Sequence, residues 1–245
     1  MQIAGGKARI AKRVAQIVNA ERGTRELWEP FMGGLWATAA LGGKVRASDI
    51  HPGLANLYNA VRDGLNLPDV VTREDYEVAR KLPVDSALRT FVGFGCSWGG
   101  KFFGGYAGGL NGKLTYAQLA KRNVEMHVRS LWQATFTCES FFEREPESNV
   151  MAYLDPPYAG TTPYAGVEAW NPERFSARVK EWVDAGAVLY VSEYAFPFGD
   201  VVFERTAKRT LGASNGEMPA VTERLYRCAK DPLDSAACDV YTDKT

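Results

Sequence analysis

An α/β fold built on a parallel sheet is predicted for this 245-residue chain. Three observations carry that prediction. Residues 26–63 read strand, helix, strand, helix, the pattern of parallel strands joined by right-handed crossovers. Two later runs, Val150–Leu154 and Ala187–Ser192, are almost wholly apolar, as strands buried on both faces are. Two further strand-like runs, Val201–Thr210 and Thr222–Ala229, are joined by Gly212-Ala-Ser-Asn-Gly216, and Asn-Gly between strands signals a hairpin.

Each element can be justified in order. Ile10, Val14, Ile17 and Val18 recur at helical spacing, with Arg9, Lys12 and Arg13 opposite them, so a helix is expected there. Leu27-Trp-Glu-Pro-Phe-Met-Gly-Gly reads as a strand entering a glycine turn, and Ala37–Leu41 as a short helix. Lys44–Ile50 reads as a second strand ending at Asp49. Pro52 opens a helix through Leu54, Leu57, Tyr58 and Val61, and Asp63-Gly64 closes it. Residues 93–113 are so rich in glycine that an ordered loop without helix is expected. Helix returns over 116–132, and Thr135–Cys138 reads as a strand running into Glu139-Ser140-Phe141. A helix over 172–185 precedes the Ala187 strand. The tail after Asp231 is acidic and expected to fray.

Composition narrows the function classes. Twenty-nine Lys and Arg balance 29 Asp and Glu, which excludes a wholly basic coat protein and a polyacidic tail. The zero hides local excess. Residues 1–25 carry six basic side chains against one acid, 101–129 five against one, and 204–230 six against three. No run of about 18 apolar residues exists to span a membrane, and the amino terminus lacks an apolar signal core. Cys96, Cys138, Cys228 and Cys238 show no C-x-x-C spacing, and only His51 and His127 could join them, so no metal site is expected. Reduced thiols are expected. His51 reads as a helix-start residue and His127 as structural. The tryptophans 28, 98, 132, 170 and 182 read as packing residues.

Two constellations carry chemistry. The first is Glu29-Pro-Phe31-Met-Gly33-Gly34, with Asp49 18 positions after Phe31. A glycine turn after the first strand lets a ligand approach the backbone, and an acid ending the second strand can accept hydrogen bonds from ribose. The third glycine of the dinucleotide fingerprint is absent, and a tight turn with an ordinary strand-end acid is the alternative. The second is Asp155-Pro156-Pro157-Tyr158 at the carboxyl end of a buried strand, the sheet edge where ligands bind. Two prolines stiffen the loop and remove N–H donors. What remains is a carboxylate, a carbonyl and an aromatic ring, which suits a substrate amino group that gives up hydrogen bonds.

With these residues the chain resembles the Dam-type DNA adenine-specific (N6) methyltransferases, over about residues 3–228. Gly5-Gly6-Lys7 before a basic helix resembles their amino-terminal cofactor motif. Glu29–Gly33, Ser48-Asp49-Ile50 and Asn56-Leu57-Tyr58 resemble the motif holding methionine and ribose. Gly100–Tyr106 resembles the loop ahead of the target-recognition region, and Cys138-Glu-Ser140-Phe141 the element packing on the cofactor adenine. Asp155–Tyr158 is similar to the catalytic tetrapeptide, and Ser214-Asn215-Gly216 with Glu223-Arg-Leu-Tyr to the closing hairpin. Leu35 departs from the pattern by standing where the family has a glycine, and its side chain is expected to narrow the cofactor's approach. The aromatic residue usual before the first Gly-Gly is replaced by Ile3 and Ala4.

The resemblance implies a Rossmann-like class I methyltransferase fold. Its mostly parallel seven-stranded sheet has a late antiparallel hairpin, and a small helical and loop insertion recognises DNA. Residues 1–65 and 132–230 would form the catalytic domain, 66–131 the insertion and 231–245 a tail. The cofactor would be S-adenosyl-L-methionine, held by Lys7, Phe31, Gly33, Asp49, Ile50, Ser140, Phe141 and Asp155. Asp155, Pro156 and Tyr158 would be catalytic. Lys101, Phe102, Tyr106, Lys113, Tyr164, Ser214 and Asn215 would contact DNA in a cytoplasmic protein of microbial or viral type. The adenine amine is a poor nucleophile because its lone pair is delocalised. Hydrogen bonds to the Asp155 carboxylate and Pro156 carbonyl would localise the pair for in-line attack on the sulfonium methyl. A base in duplex DNA must first be flipped out, at about a few kcal/mol, and Tyr158 would stack on it. Two other readings stay open: an N-methyltransferase acting on RNA or a protein amide, and a non-catalytic DNA- or cofactor-binding module. The recognised site, a partner nuclease and the oligomeric state are not encoded legibly.

Overall fold

The computed structural model describes residues 1, 3, 6–110, 114–157, 170–208 and 220–231. Its elements in chain order are α1 (Ala11–Glu21), β1 (Glu26–Glu29), α2 (Trp36–Leu41), β2 (Val45–Asp49), α3 (Pro52–Arg62), α4 (Arg73–Arg80) and α5 (Ala87–Gly95). After a 3-10 turn at Trp98–Gly100 come β3 (Gly109–Leu110), β4 (Leu114–Thr115), α6 (Tyr116–Ser130), β5 (Thr135–Cys138), β6 (Val150–Leu154), α7 (Pro172–Asp184), β7 (Val188–Glu193), β8 (Asp200–Lys208) and β9 (Ala220–Cys228).

Among the described residues seven strands form one sheet in the order β5-β2-β1-β6-β7-β9-β8. β2 runs parallel to β5 and β6 parallel to β7, whereas β9 is antiparallel to both β7 and β8. This is the mostly parallel sheet with a late antiparallel pair expected of a Rossmann-like class I methyltransferase fold. The chain divides into two compact units, Met1–Gln16 with Trp28–Arg144, and Ile17–Leu27 with Glu145–Thr245.

In the first unit, helix starts follow their capping chemistry. The Lys7 carbonyl accepts from Ile10 and Ala11 N–H at 3.0 and 2.9 Å, seeding α1. Pro52 supplies the fixed φ of the first turn of α3. α4 and α6 open with reciprocal capping boxes, Thr72 with Asp75 and Thr115 with Gln118. The glycine-rich stretch differs from expectation at its start. α5 continues through Gly93 to Gly95, where a Cβ at Gly93 would stand 2.4 Å from the Phe102 ring and one at Gly95 2.7 Å from Ala120 Cβ. Here glycine marks close packing in a helix rather than its end. The edge strand of this unit, β5, has only four residues.

In the second unit β6 is buried along its whole length, as its apolar run requires. The edge strand β8 carries a bulge between Val201 and Phe203. α7 starts at Asn171, whose side chain accepts from Arg174 N–H at 2.8 Å, with Pro172 in the first turn. Arg227 of β9 donates through Nε and Nη2 to the two Glu21 oxygens at 2.8 and 2.6 Å, and Tyr190 Oη donates to the same carboxylate at 2.5 Å.

Candidate active site

The first unit presents the glycine turn after β1. Gly33 has φ 41°, a backbone region that favours glycine, and its N–H donates to Asp49 Oδ2 at 3.1 Å. The His51 N–H donates to Asp49 Oδ1 at 2.9 Å. Tyr58 Oη donates to the Gly33 carbonyl, and Met32 N–H donates to the Ser48 carbonyl at 3.0 Å. The turn is thus pinned to the end of β2 from both sides. Burial pushes the Asp49 carboxyl up to about 6, against the opposing pull of the His51, Gly33 and Ile50 N–H groups. The carboxylate remains an acceptor at neutral pH. Next to it Ile50 is 52% exposed. The Phe31 and Phe141 rings lie 5.9 Å apart, and Phe141 also meets Trp28 at 5.8 Å. Ser140 Oγ accepts from Phe142 N–H at 3.2 Å. Lys7 is buried, its backbone carbonyl engaged at the start of α1.

These residues bring four features to one strand edge: an acceptor carboxylate, an open glycine backbone, an exposed aliphatic face and a ring pair. The glycine is open in that a Cβ at Gly33 would meet no side chain within 4 Å. That set fits the ribose and adenine of a nucleoside.

Leu35 corrects an expectation. Its side chain is fully buried, so it fills the core instead of narrowing a ligand's approach. The strain falls on the backbone, which takes φ 63°, ψ 17° at the residue preceding α2. A leucine in the left-handed region costs roughly 1–2 kcal/mol.

The aromatic loop folds over its own neighbours. Phe102 packs on His51, Phe94 and Phe103 at 4.7–4.8 Å between ring centres. Tyr106 packs on Tyr76 at 5.5 Å and donates its hydroxyl to the Val71 carbonyl at 2.7 Å. Arg89 stands over Phe102, and Arg73 over Tyr106, at 5.3 and 5.2 Å. Lys101 is exposed. His51 is the N-cap residue of α3, and burial lowers its pKa to about 4. His127 is buried, with Nδ1 3.2 Å from the Gly34 carbonyl. Trp28 and Trp182 are packing residues, whereas Trp98 and Trp132 are exposed, Trp132 by 75%. Both stand just outside the α-helices, Trp98 in the 3-10 turn and Trp132 beyond α6, where the core no longer dictates burial.

In the second unit Asp155 leaves β6 at its carboxyl end, half-buried, followed by buried Pro156 and exposed Pro157. Tyr158, Lys113, Tyr164, Ser214 and Asn215 lie outside the described residues.

Sequence reasoning gave Ser192 no role and placed Glu29 and Tyr58 only within motifs. Glu29 is buried and accepts from Thr38 Oγ at 2.5 Å, supporting the turn from below. Ser192 shares a 2.8 Å hydrogen bond with Tyr153. A signal for Ser192 was present: like Asp155, it is the first polar residue after a buried apolar run.

Residues 4–83 match the family model described as D12 class N6 adenine-specific DNA methyltransferase. No curated protein matches the chain. Among solved structures, the rRNA methyltransferase aviRa from Streptomyces viridochromogenes is similar at 15% identity and a TM-score of 0.41, covering 96% of this chain and 86% of that one. A putative methyltransferase, yhhF, from Escherichia coli is similar at 11% identity and a TM-score of 0.35, covering 90% and 85%. The amino-terminal third of the chain, with its glycine turn, Asp49 and Tyr58, therefore carries the D12 class N6 adenine-specific DNA methyltransferase match that the motifs resemble.

Proposed function

We propose that the protein transfers the methyl group of S-adenosyl-L-methionine to the exocyclic amine of adenine in DNA. The observation that carries this reading is the Asp155-Pro156-Pro157 segment, leaving a fully buried strand at its carboxyl end. Beyond Asp155 the two prolines offer no N–H, so the segment presents acceptors. The family match over residues 4–83 supports DNA adenine as the substrate.

S-adenosyl-L-methionine supplies an activated methyl group on a sulfonium. Asp49 would accept hydrogen bonds from its ribose, with Gly33, Ile50, Phe31 and Phe141 around the nucleoside. Lys7 and Ser140 complete the proposed cofactor set. Asp155 and the Pro156 carbonyl would each accept an N–H from the target amine, holding its lone pair toward tetrahedral geometry. Two directional acceptors position the amine and stabilise the charge that develops on nitrogen. The base would reach these two acceptors flipped from the duplex, with Tyr158 as stacking partner. Lys101 is the described candidate for a phosphate contact, while the inward packing of Phe102 and Tyr106 suits them to shaping the loop.

The test is methyl transfer from labelled S-adenosyl-L-methionine to DNA, RNA and protein in parallel. Label on N6 of DNA adenine is the expected result. Asp155→Ala is expected to abolish transfer while cofactor binding by calorimetry survives. Label confined to RNA or protein, or near-normal turnover by Asp155→Ala, would overturn the reading.

A further inference from the structure

The outer face of α6 carries a pattern that methyl transfer as described above does not use. The helix buries Ala117, Ala120, Val124, His127 and Val128 inside the first unit. On its other side Arg122, Met126 and Arg129 are exposed and Glu125 is half-buried. These four recur at helical spacing and form one stripe, with Arg122 and Arg129 about 10.5 Å apart along the axis. An open groove of about 520 Å³ is lined by Asp69, Lys121, Arg122, Glu125, Met126 and Arg129 with their neighbours. Two residues past the end of α6, Trp132 is 75% exposed, and Met126 is 51% exposed.

Charge and composition set this face apart from a solvated surface. Lys121 pairs with Asp69 at 3.2 Å, so those two cancel. Among the described residues Arg122, Glu125 and Arg129 have no ion-pair partner. Arginine, methionine and tryptophan are the side chains enriched where proteins meet. A polyanion fits the stripe poorly, because Glu125 stands between the two arginines and would face phosphate. An identical stripe fits it well.

We propose that α6 is a self-association surface, on which two copies of the chain pair antiparallel about a two-fold axis level with His127. Residues equally far before and after His127 then face one another across the axis. Glu125 and Arg129 lie two positions to either side, so each Glu125 meets Arg129 of the other copy, and symmetry makes this ion pair twice. Arg122 and Trp132 lie five positions to either side, so each guanidinium comes onto the exposed indole of the other copy. Met126 of both copies lies beside the axis and supplies the apolar centre. A parallel pairing would instead set each arginine against itself. One helix face from each copy is a small interface, so the dimer is weak and reversible.

Sedimentation velocity of the full chain tests this, and its outcome does not depend on the methyl-transfer reading. Across roughly 1–500 µM the wild type is expected to move from monomer toward dimer. Glu125→Arg and Arg129→Glu each place like charges opposite one another, and each is expected to weaken dimerisation at least about tenfold. An equimolar mixture of the two variants restores both ion pairs in a heterodimer and is expected to sediment as dimer where either alone does not. The double reversal in one chain is expected to recover self-association as well. Trp132→Ala is expected to weaken it about tenfold. If a single reversal fails to fold by circular dichroism, the double reversal and Trp132→Ala decide. A wild type that stays monomeric throughout overturns the proposal, as does a mixture of folded variants that stays monomeric. Fluorescence anisotropy with duplex DNA covers the competing occupant: if Arg122→Gln and Arg129→Gln weaken DNA binding and leave sedimentation unchanged, the groove holds phosphate and the proposal fails.

Discussion

Replacing Arg227 with methionine tests whether one buried ion pair holds the second unit together. Arg227 is 4% exposed and makes three hydrogen bonds: two to Glu21 and one through Nη1 to the Asp231 carbonyl at 2.8 Å. Removing it leaves the Glu21 carboxylate with Tyr190 as its remaining side-chain donor in this network. Breaking such a pair from one side costs about 3–5 kcal/mol. At roughly 2–4 °C per kcal/mol for a chain of this size, Tm should fall by roughly 6–20 °C. Burial alone would raise the Glu21 pKa, but Arg227, Tyr190 and Arg25 hold it below its ordinary value. A lowered folded pKa contributes stability above the unfolded value of 4.5 that is lost as pH falls through the folded pKa. The gap between wild type and Arg227→Met should therefore narrow on acidification below pH 4.5. The double variant Glu21→Leu, Arg227→Met removes both charges and should be more stable than either single change, because no unpaired charge remains buried. Thermal unfolding by circular dichroism at pH 7 and pH 4 reads all of this. A loss under about 1 kcal/mol, or strict additivity in the double variant, would refute the reasoning.

Further outcomes follow from the first unit. In the proposed function Asp49 would have to be ionised to accept from the ribose, and burial pushes its carboxyl up to about 6. Cofactor affinity should thus decline below pH 6, approaching roughly tenfold per pH unit, and isothermal titration of Asp49→Asn should find weaker binding with no such dependence. Leu35→Gly trades a buried side chain for relief of the left-handed backbone. It should cost about 2 kcal/mol less than Leu57→Gly in mid-α3, where glycine adds a helix penalty instead, and equal urea midpoints for the two would contradict this. Gly93→Ala pushes a methyl into the Phe102 ring and should destabilise by about 1–3 kcal/mol. Proteolysis of the 101–106 loop should rise in parallel, and an unaltered Tm would show that the contact is easily relieved.

How much of this was legible depended on whether the determinant was local. β2 ends at Asp49 and α3 begins at Pro52 as read, because a strand-end acid and an N1 proline act within a few residues. The β6 strand and the Asp155 edge were legible because β6 is buried on both faces and needs an unbroken apolar run. Gly93 and Gly95 misled, since their reason lies in Phe102 and Ala120, outside the helix they belong to. Leu35 was legible as a departure but not in its effect, which depends on which way a buried side chain turns. The contacts of Glu29 and Ser192 stayed silent for the same reason: a polar residue beside a strand end acquires its role from the partner placed opposite it, Thr38 in one case and Tyr153 in the other.

The outer strands of the described sheet bear on edge-to-edge pairing. An open sheet exposes unpaired backbone at each edge, and such edges template fibres. At one edge β5 offers only four residues, too few for a stable intermolecular ladder. At the other β8 is nine residues long, but its bulge after Val201 breaks the register an incoming strand would need, and Glu204 and Arg205 set opposite charges along it. A variant with the bulge deleted and both charges made valine would present a flat, adhesive strand, turning a folded sheet into a seed for aggregation.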